Sequence, residues 1–459
     1  MLWMFFVIFN YLQEVNLIKV NPTAWEMSLV EDCNRGLRAE KLRRQQATLD
    51  DMKIGYDNEG FNLQVGEPFT ITSGQWKALE DKGELVRELW GITHQLYKEE
   101  SSESGLVTLL VESGLGWTAK AYQRSHYRRN NQINPPLFFR MDMADLDHAV
   151  EINSPGGGWP LMHMIQQVCN PEGQPTPSIA DSWAKAIREH TQLNYPVVRI
   201  PSISQTESGD RQFAEILTQK GILTRIYSYC SALPKPTQFN LIIHDGLQQM
   251  SMSANWESIW QAYIHRRIRV EPAPSSIYDS KIMELLIWHP RTRTQYPDAA
   301  RDLFPYSVLV ASDAQVLLPG GGKVGICDVP KRLCRNGNYI LKYAGADPIR
   351  NRSARQVYKL DNPGNGRYGA QTLIQHAIVD WEVNHEPWII QERIRYKHPV
   401  TFLERSTGNL AEENLNARIM PAYAVNGSVN LIGLTAVYSS NWKVHGNPSS
   451  VLCAVNVTD

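Results

Sequence analysis

Four polar residues fall two apart in two short apolar runs, Phe139-Arg140-Met141-Asp142 and Val150-Glu151-Ile152-Asn153. Side chains two apart on a strand share a face. A hairpin of these runs, turned at Asp145-Leu146-Asp147, would therefore aim Arg140, Asp142, Glu151 and Asn153 at one polar site. Two carboxylates and a carboxamide are the hard oxygen ligands that magnesium takes, with room left for water and phosphate oxygens. Arg140 would offset their charge and reach a phosphoryl oxygen through both arms of its guanidinium. An ordinary solvated hairpin face has the same composition. The glycines Gly156, Gly157 and Gly158 that follow let a backbone come close to a ligand and favour the site.

A second group lies far along the chain. Lys342 ends the apolar run Tyr339-Ile340-Leu341, whose packing would place its ammonium. The polar loop after it, with Asn351-Arg352-Ser353-Ala354-Arg355-Gln356, offers N–H groups, a hydroxyl and guanidiniums for phosphate oxygens. No Gly-x-x-x-x-Gly-Lys-[Ser/Thr] pattern is present, and Pro319-Gly320-Gly321-Gly322-Lys323 reads as linker and lobe boundary. Lys342 taken alone reads as a snorkelling surface lysine. Trp388-Ile389-Ile390-Gln391-Glu392, running on to Ile394, is an apolar strand leading either to a hinge where backbone groups and a carboxylate would meet an adenosine or to an ordinary helix or strand end of similar composition. Arg418, on a central-strand pattern, needs an anion, from a buried acid or from a phosphate. Lys281, before an apolar helix, adds a further cation.

The elements that must position these groups are legible at intervals. Residues 74–99 place Leu79, Val86, Leu89 and Leu96 on a helical repeat, and Gly105 to Leu110 reads as a turn into a short strand. Strand patterns at 195–200 and 222–227, separated by a helical stretch at 212–220, predict a βαβ crossover. Helices are expected at 279–286 and 371–380. Asn426-Gly427 predicts a turn between antiparallel strands at 416–425 and 429–438.

With 459 residues the chain should divide into two or three lobes around a cleft. Its net charge of -1 gives no long-range attraction to nucleic acid or anionic lipid. The six cysteines are scattered without a zinc or disulfide spacing, which suits a reducing cytoplasm. The apolar stretch Met1 to Phe9 is too short to span a bilayer and reads as a buried segment or a homodimer contact.

The order of these pieces resembles the circularly permuted ATP-grasp superfamily, with its glutathionylspermidine synthase-like and natural-product amide-ligase members. The resemblance rests on Arg140-Met-Asp142, Glu151-Ile-Asn153-Ser-Pro-Gly-Gly, Tyr278-Asp-Ser-Lys281, Tyr339-Ile-Leu-Lys342-Tyr, Gln391-Glu392 and Ala417-Arg418-Ile-Met-Pro. It implies an α+β and α/β fold with a nucleotide cleft between two α+β lobes, plus a lobe containing the βαβ unit. The lobes would be an N-terminal region at 1–136, a metal-binding hairpin at 137–170 and a substrate-side lobe at 171–275. A connecting helix and linker at 276–330 and a nucleotide lobe with the returning strands at 331–459 would complete them. Asp142, Glu151 and Asn153 would bind Mg2+, and Lys342 the α- and β-phosphates of ATP. Ser353, Ala354, Arg355 and Gln356 would form the lid, although the stretch lacks the family's glycines. Gln391, Glu392 and Ile394 would hold the nucleotide at the hinge, Lys281 would be a further contact, and Arg140 and Arg418 would bind phosphate or acyl phosphate. The implied activity joins a small-molecule carboxylate to an amine with ATP. A kinase using the same cleft, or a non-catalytic nucleotide-binding protein, would share most of these residues.

Overall fold

The computed structural model describes residues 24–51, 63–100, 102–130, 134–154, 158–169, 178–201, 207–228, 233–244, 246–318, 321–332, 337–351, 356–362, 369–444 and 450–459. The apolar stretch Met1 to Phe9 lies outside them.

The hairpin expected from the sequence forms, with strands Phe138–Met143 and Ala149–Asn153. It is the edge of an eight-stranded sheet that continues through the long strands Leu410–Asn426 and Ser428–Ser439 to Val451–Thr458 and Gln64–Val65. Gly427 turns the two long strands at φ +84°, a left-handed conformation that glycine adopts without a Cβ penalty. Strand Ser428–Ser439 is buried along nearly its whole length because helices cover both faces of the sheet. Helix Ser73–Glu99 packs on one face. It starts at a capping box in which Gln75 N donates to Thr72 Oγ1 (3.1 Å) and Thr72 N donates to Gln75 Oε1 (2.9 Å). Helices Trp159–Cys169 and Ile179–Thr191 pack on the other. The alternation of the hairpin shows in two neighbours: Phe138 stacks on Trp183 at 3.8 Å, and Phe139 stacks on Tyr423 of the opposite core at 4.6 Å.

A four-stranded antiparallel sheet carries the second group of residues. Its order is Val357–Lys359, Tyr339–Tyr343, Trp388–Glu392 and Ser307–Leu309, and helix Ala370–Asn384 closes its core. Lys342 and Ile389 are register partners in its two central strands. The linker reading of Pro319 to Lys323 gives way here. Strands Gln315–Leu317 and Lys323–Gly325 pair antiparallel around this stretch, and Val316 and Val324 lie in the same core as Tyr339 and Leu341. Hairpin turns and linkers draw on the same residues, so composition alone does not separate them.

The third sheet is parallel, in the order Leu223–Tyr227, Val197–Pro201, Leu241–Ile243 and Arg269–Glu271, with helix Glu207–Gln219 as the expected crossover. Residues 105–110 differ from expectation: Leu106–Val111 is a helix with Val107, Thr108, Leu110 and Val111 buried. A short apolar run has no period long enough to tell strand from helix, and burial between neighbours decides it. Cys169 and Cys453 are buried free thiols, and Cys327 is an exposed one. Among the described residues no helix is long and apolar enough to cross a membrane.

Candidate functional site

The hairpin register sets Arg140 against Asn153 and Asp142 against Glu151. Asp142 is buried and becomes the centre of a small charged cluster. Arg140 Nε donates to its Oδ1 at 2.9 Å, Asn153 Nδ2 donates to its Oδ2 at 3.0 Å, and Arg418 reaches Oδ2 from strand Leu410–Asn426. Burial works against a charged Asp142, but Arg140 and Arg418 outweigh it and hold the carboxyl well below the usual carboxylate range. Arg418 thus meets an acid, one of the two anions its sequence position called for.

Glu151 is the more open of the two acids, with a third of its side chain exposed, and Lys281 Nζ lies 3.0 Å from its Oε1. Burial again opposes the charged form, Lys281 and then Lys342 favour it, and the carboxyl ends below its ordinary value. Lys281 immediately precedes helix Ile282–Trp288, and its backbone N donates to Ala344 O at 3.0 Å, which ties it to the strand carrying Lys342.

Lys342 is buried and does not snorkel. Its Nζ donates at 2.8 Å to Val150 O, the carbonyl next to Glu151, and at 2.8 Å to Glu284 Oε2. One ammonium therefore joins the small antiparallel sheet to the edge of the large one. Burial lowers the Lys342 pKa against the pull of Glu284, and burial raises that of Glu284 against the pull of Lys342. Gln391 Nε2 donates to the same Glu284 oxygen at 3.1 Å and to Ser307 Oγ at 3.0 Å, while its Oε1 is buried and accepts no hydrogen bond.

The remaining expected residues spread outwards. Glu392 is exposed, with its backbone N donating to Tyr306 O at 2.9 Å, and Ile394 is half-buried just beyond the strand. Gln356 accepts from Tyr343 N through its carbonyl at 3.1 Å and from Tyr358 OH through Oε1 at 2.7 Å. Ser353, Ala354 and Arg355 lie outside the described residues. Glu284 was missed by sequence reasoning. Its one signal is a carboxylate inside the apolar run Ile282-Met283-Glu284-Leu285-Leu286, where a buried acid demands a partner.

Arg140, Arg418, Lys281 and Lys342 thus face Asp142, Glu151 and Glu284, with each acid engaged by a cation. Among the described residues no three His, Cys, Asp or Glu side chains cluster as metal ligands. The donor set of Asp142, Glu151 and Asn153 nevertheless fits a hard divalent cation. Such an ion would take the carboxylates once an anion drew the basic side chains away.

No protein-family model and no curated protein matches the chain. Among solved structures it is similar to a glutathione synthetase-like effector from Globodera pallida, determined in its apo form. The TM-score is 0.53 at 11% identity, over 92% of this chain and 98% of that one. At that identity the likeness is one of fold alone, a mixed α/β architecture of several lobes.

Proposed function

We propose that the chain is an ATP- and magnesium-dependent carboxylate–amine ligase of circularly permuted ATP-grasp type, acting on a small-molecule or peptide-like acid. The observation that supports this reading best is the 2.8 Å contact from Lys342 Nζ to Val150 O, which brings the late basic strand onto the early acidic hairpin. The hairpin at 138–153 precedes the lysine and the Gln391-Glu392 strand in the chain, the order a permuted member requires. Asp142, Glu151 and Asn153 would hold magnesium, which when bound neutralises charge on the phosphate oxygens. Lys342 and Lys281 would turn from Glu284 and Glu151 to the nucleotide phosphates, and Gln391, Glu392 and Ile394 would border the base. Ser353 to Gln356 are assigned to the covering loop. Arg140 and Arg418 would stabilise charge as the substrate carboxylate takes the γ-phosphoryl group and ADP leaves. An amine then displaces phosphate from the acyl carbon. Cations already gathered in a low-dielectric cluster act strongly on such charge once they exchange their carboxylate partners for the phosphates.

The test is a screen of acids against amines that reads ADP release and product mass together. A ligase gives ADP only when acid and amine are both present, with an amide among the products. ADP that depends on the acceptor and not on the amine would replace this reading with a kinase. Asp142→Ala and Glu151→Ala should each abolish the magnesium-dependent ADP release. Turnover by the double variant equal to the wild type would remove both from the metal site.

A further inference from the structure

The parallel-sheet lobe holds a second set of cations that the proposed reaction does not use. Arg199 and Arg225 are direct register partners on the adjacent parallel strands Val197–Pro201 and Leu223–Tyr227. Their side chains therefore leave the same face of the sheet side by side, where like charges repel. Arg199 Nε is buried and has no hydrogen-bond partner. Among the described residues no acid forms an ion pair with either guanidinium, Glu215 included. Burial, and then the charge of Arg225, push Arg199 below its ordinary value. An orphaned charged donor beside a like charge costs free energy that an acceptor placed between the two would offset.

Both arginines line an open cavity of about 580 Å3 at the outer strand of the sheet, to which helix Glu207–Gln219 contributes Arg211, Glu215 and Thr218. The hydroxyls of Thr218 and Thr224 already donate to Ala214 O and Ile222 O at 2.8 Å each, so they leave recognition to the guanidiniums. The lining comes wholly from this lobe, apart from the cluster around Asp142 and Lys342. Arg199 and Arg225 against Glu215 leave this part of the cavity with positive charge in excess.

We propose that this cavity binds a small, doubly or more highly charged oxyanion, held between the guanidinium forks of Arg199 and Arg225. A planar fork presents paired N–H groups that match the oxygens of phosphate or carboxylate. An anion placed between the two turns one repulsion into two attractions and gives Arg199 Nε an acceptor. The site stands whether or not the chain is a ligase.

Calorimetric titration of the full chain tests it, with inorganic phosphate in one arm, citrate in another and sodium chloride at matched ionic strength as the control. The wild type should bind phosphate, citrate or both above the chloride control, and the arm that responds names the source of the oxyanion. Arg199→Gln/Arg225→Gln should bind about a hundred-fold more weakly, roughly ten-fold for each guanidinium removed. Glu284→Gln/Lys342→Met, which removes both members of that buried pair together, should bind as the wild type does, which keeps this site distinct from the nucleotide cluster. Arg225 is exposed, so Arg225→Gln alone should fold normally and show about ten-fold weaker binding. Equal binding by wild type and the double arginine variant, loss of binding in Glu284→Gln/Lys342→Met, or no wild-type response beyond chloride would each overturn the proposal.

Discussion

Glu284 explains why Lys342 can be buried at all. An ammonium taken out of water needs a compensating charge and hydrogen bonds, and Glu284 Oε2, Val150 O and their surroundings supply them. Removing one member of such a pair leaves the other uncompensated, which costs about 3–5 kcal/mol, whereas removing both is far milder. Glu284→Gln should therefore destabilise the ligand-free chain by about 3 kcal/mol, and Glu284→Gln/Lys342→Met by clearly less than the sum of the single changes. Urea unfolding of the two single variants and the double measures this, and strict additivity would show that the pair is not coupled. Under the proposed ligase reading, Lys342→Ala on its own should weaken ATP binding, because it removes a cation assigned to the phosphates. Unchanged affinity in calorimetry would reject that role. Asp142 is the opposite case, over-compensated by two guanidiniums. That surplus of positive charge is what an incoming phosphoryl group would use.

At the scale of elements, the Ser73–Glu99 helix shows how closely the parts must fit. Gly83 faces the sheet, and a Cβ there would lie 2.6 Å from Tyr423 Cε1 and 2.9 Å from Val429 Cγ1. Tyr423 has no freedom to yield, since its ring stacks on Phe139 and its hydroxyl donates to Leu79 O at 2.8 Å. Alanine is worth up to about 1 kcal/mol more than glycine in a helix, but overpacking a filled core costs about 1–3 kcal/mol. Gly83→Ala should thus lower stability, read as an earlier urea midpoint, and a later midpoint would show that the helix moves out freely. This contact also marks where the sequence stopped being legible. The strands Ala149–Asn153, Tyr339–Tyr343 and Trp388–Glu392 could be read residue by residue because local alternation and apolar runs determine them. Gly83 and Glu284 could not, because their meaning lies in Tyr423 and Lys342, hundreds and tens of positions away. The joining of Val150 to Lys342 was invisible for the same reason: a backbone carbonyl carries no sequence signal. The hairpin at Gln315–Gly325 escaped because its turn residues also make linkers.

Across the whole molecule, several histidines are sealed into cores in the neutral form, and together they should govern its response to acid. Burial lowers His94 to about 3 and lowers His126, His163 and His244 to about 4. An unfolded histidine titrates near 6.5. Above that pH neither state binds the proton. As the pH falls through 6.5 the unfolded chain takes up protons that the folded chain refuses, so stability drops, and it keeps dropping until the folded values near 4 and 3 are reached. Each such histidine should cost roughly 1 kcal/mol between pH 7.5 and 5.5. Glu271 opposes them, because burial raises its carboxyl to about 8 and the folded chain gains stability by holding that proton over the same interval. The four rings together outweigh it, so the urea midpoint should fall between pH 7.5 and 5.5, well before Asp142 and Glu151 lose their charge, and a flat profile would mean that they do not. His163 gives the sharpest test. It is fully buried against Phe213, and neither of its ring nitrogens has a hydrogen-bond partner. An apolar side chain of similar size removes an unsatisfied polar group at little packing cost. His163→Leu should accordingly leave stability at pH 7.5 unchanged or higher and make the fall towards pH 5.5 shallower by roughly 1 kcal/mol. A variant as steep as the wild type would place the acid sensitivity elsewhere.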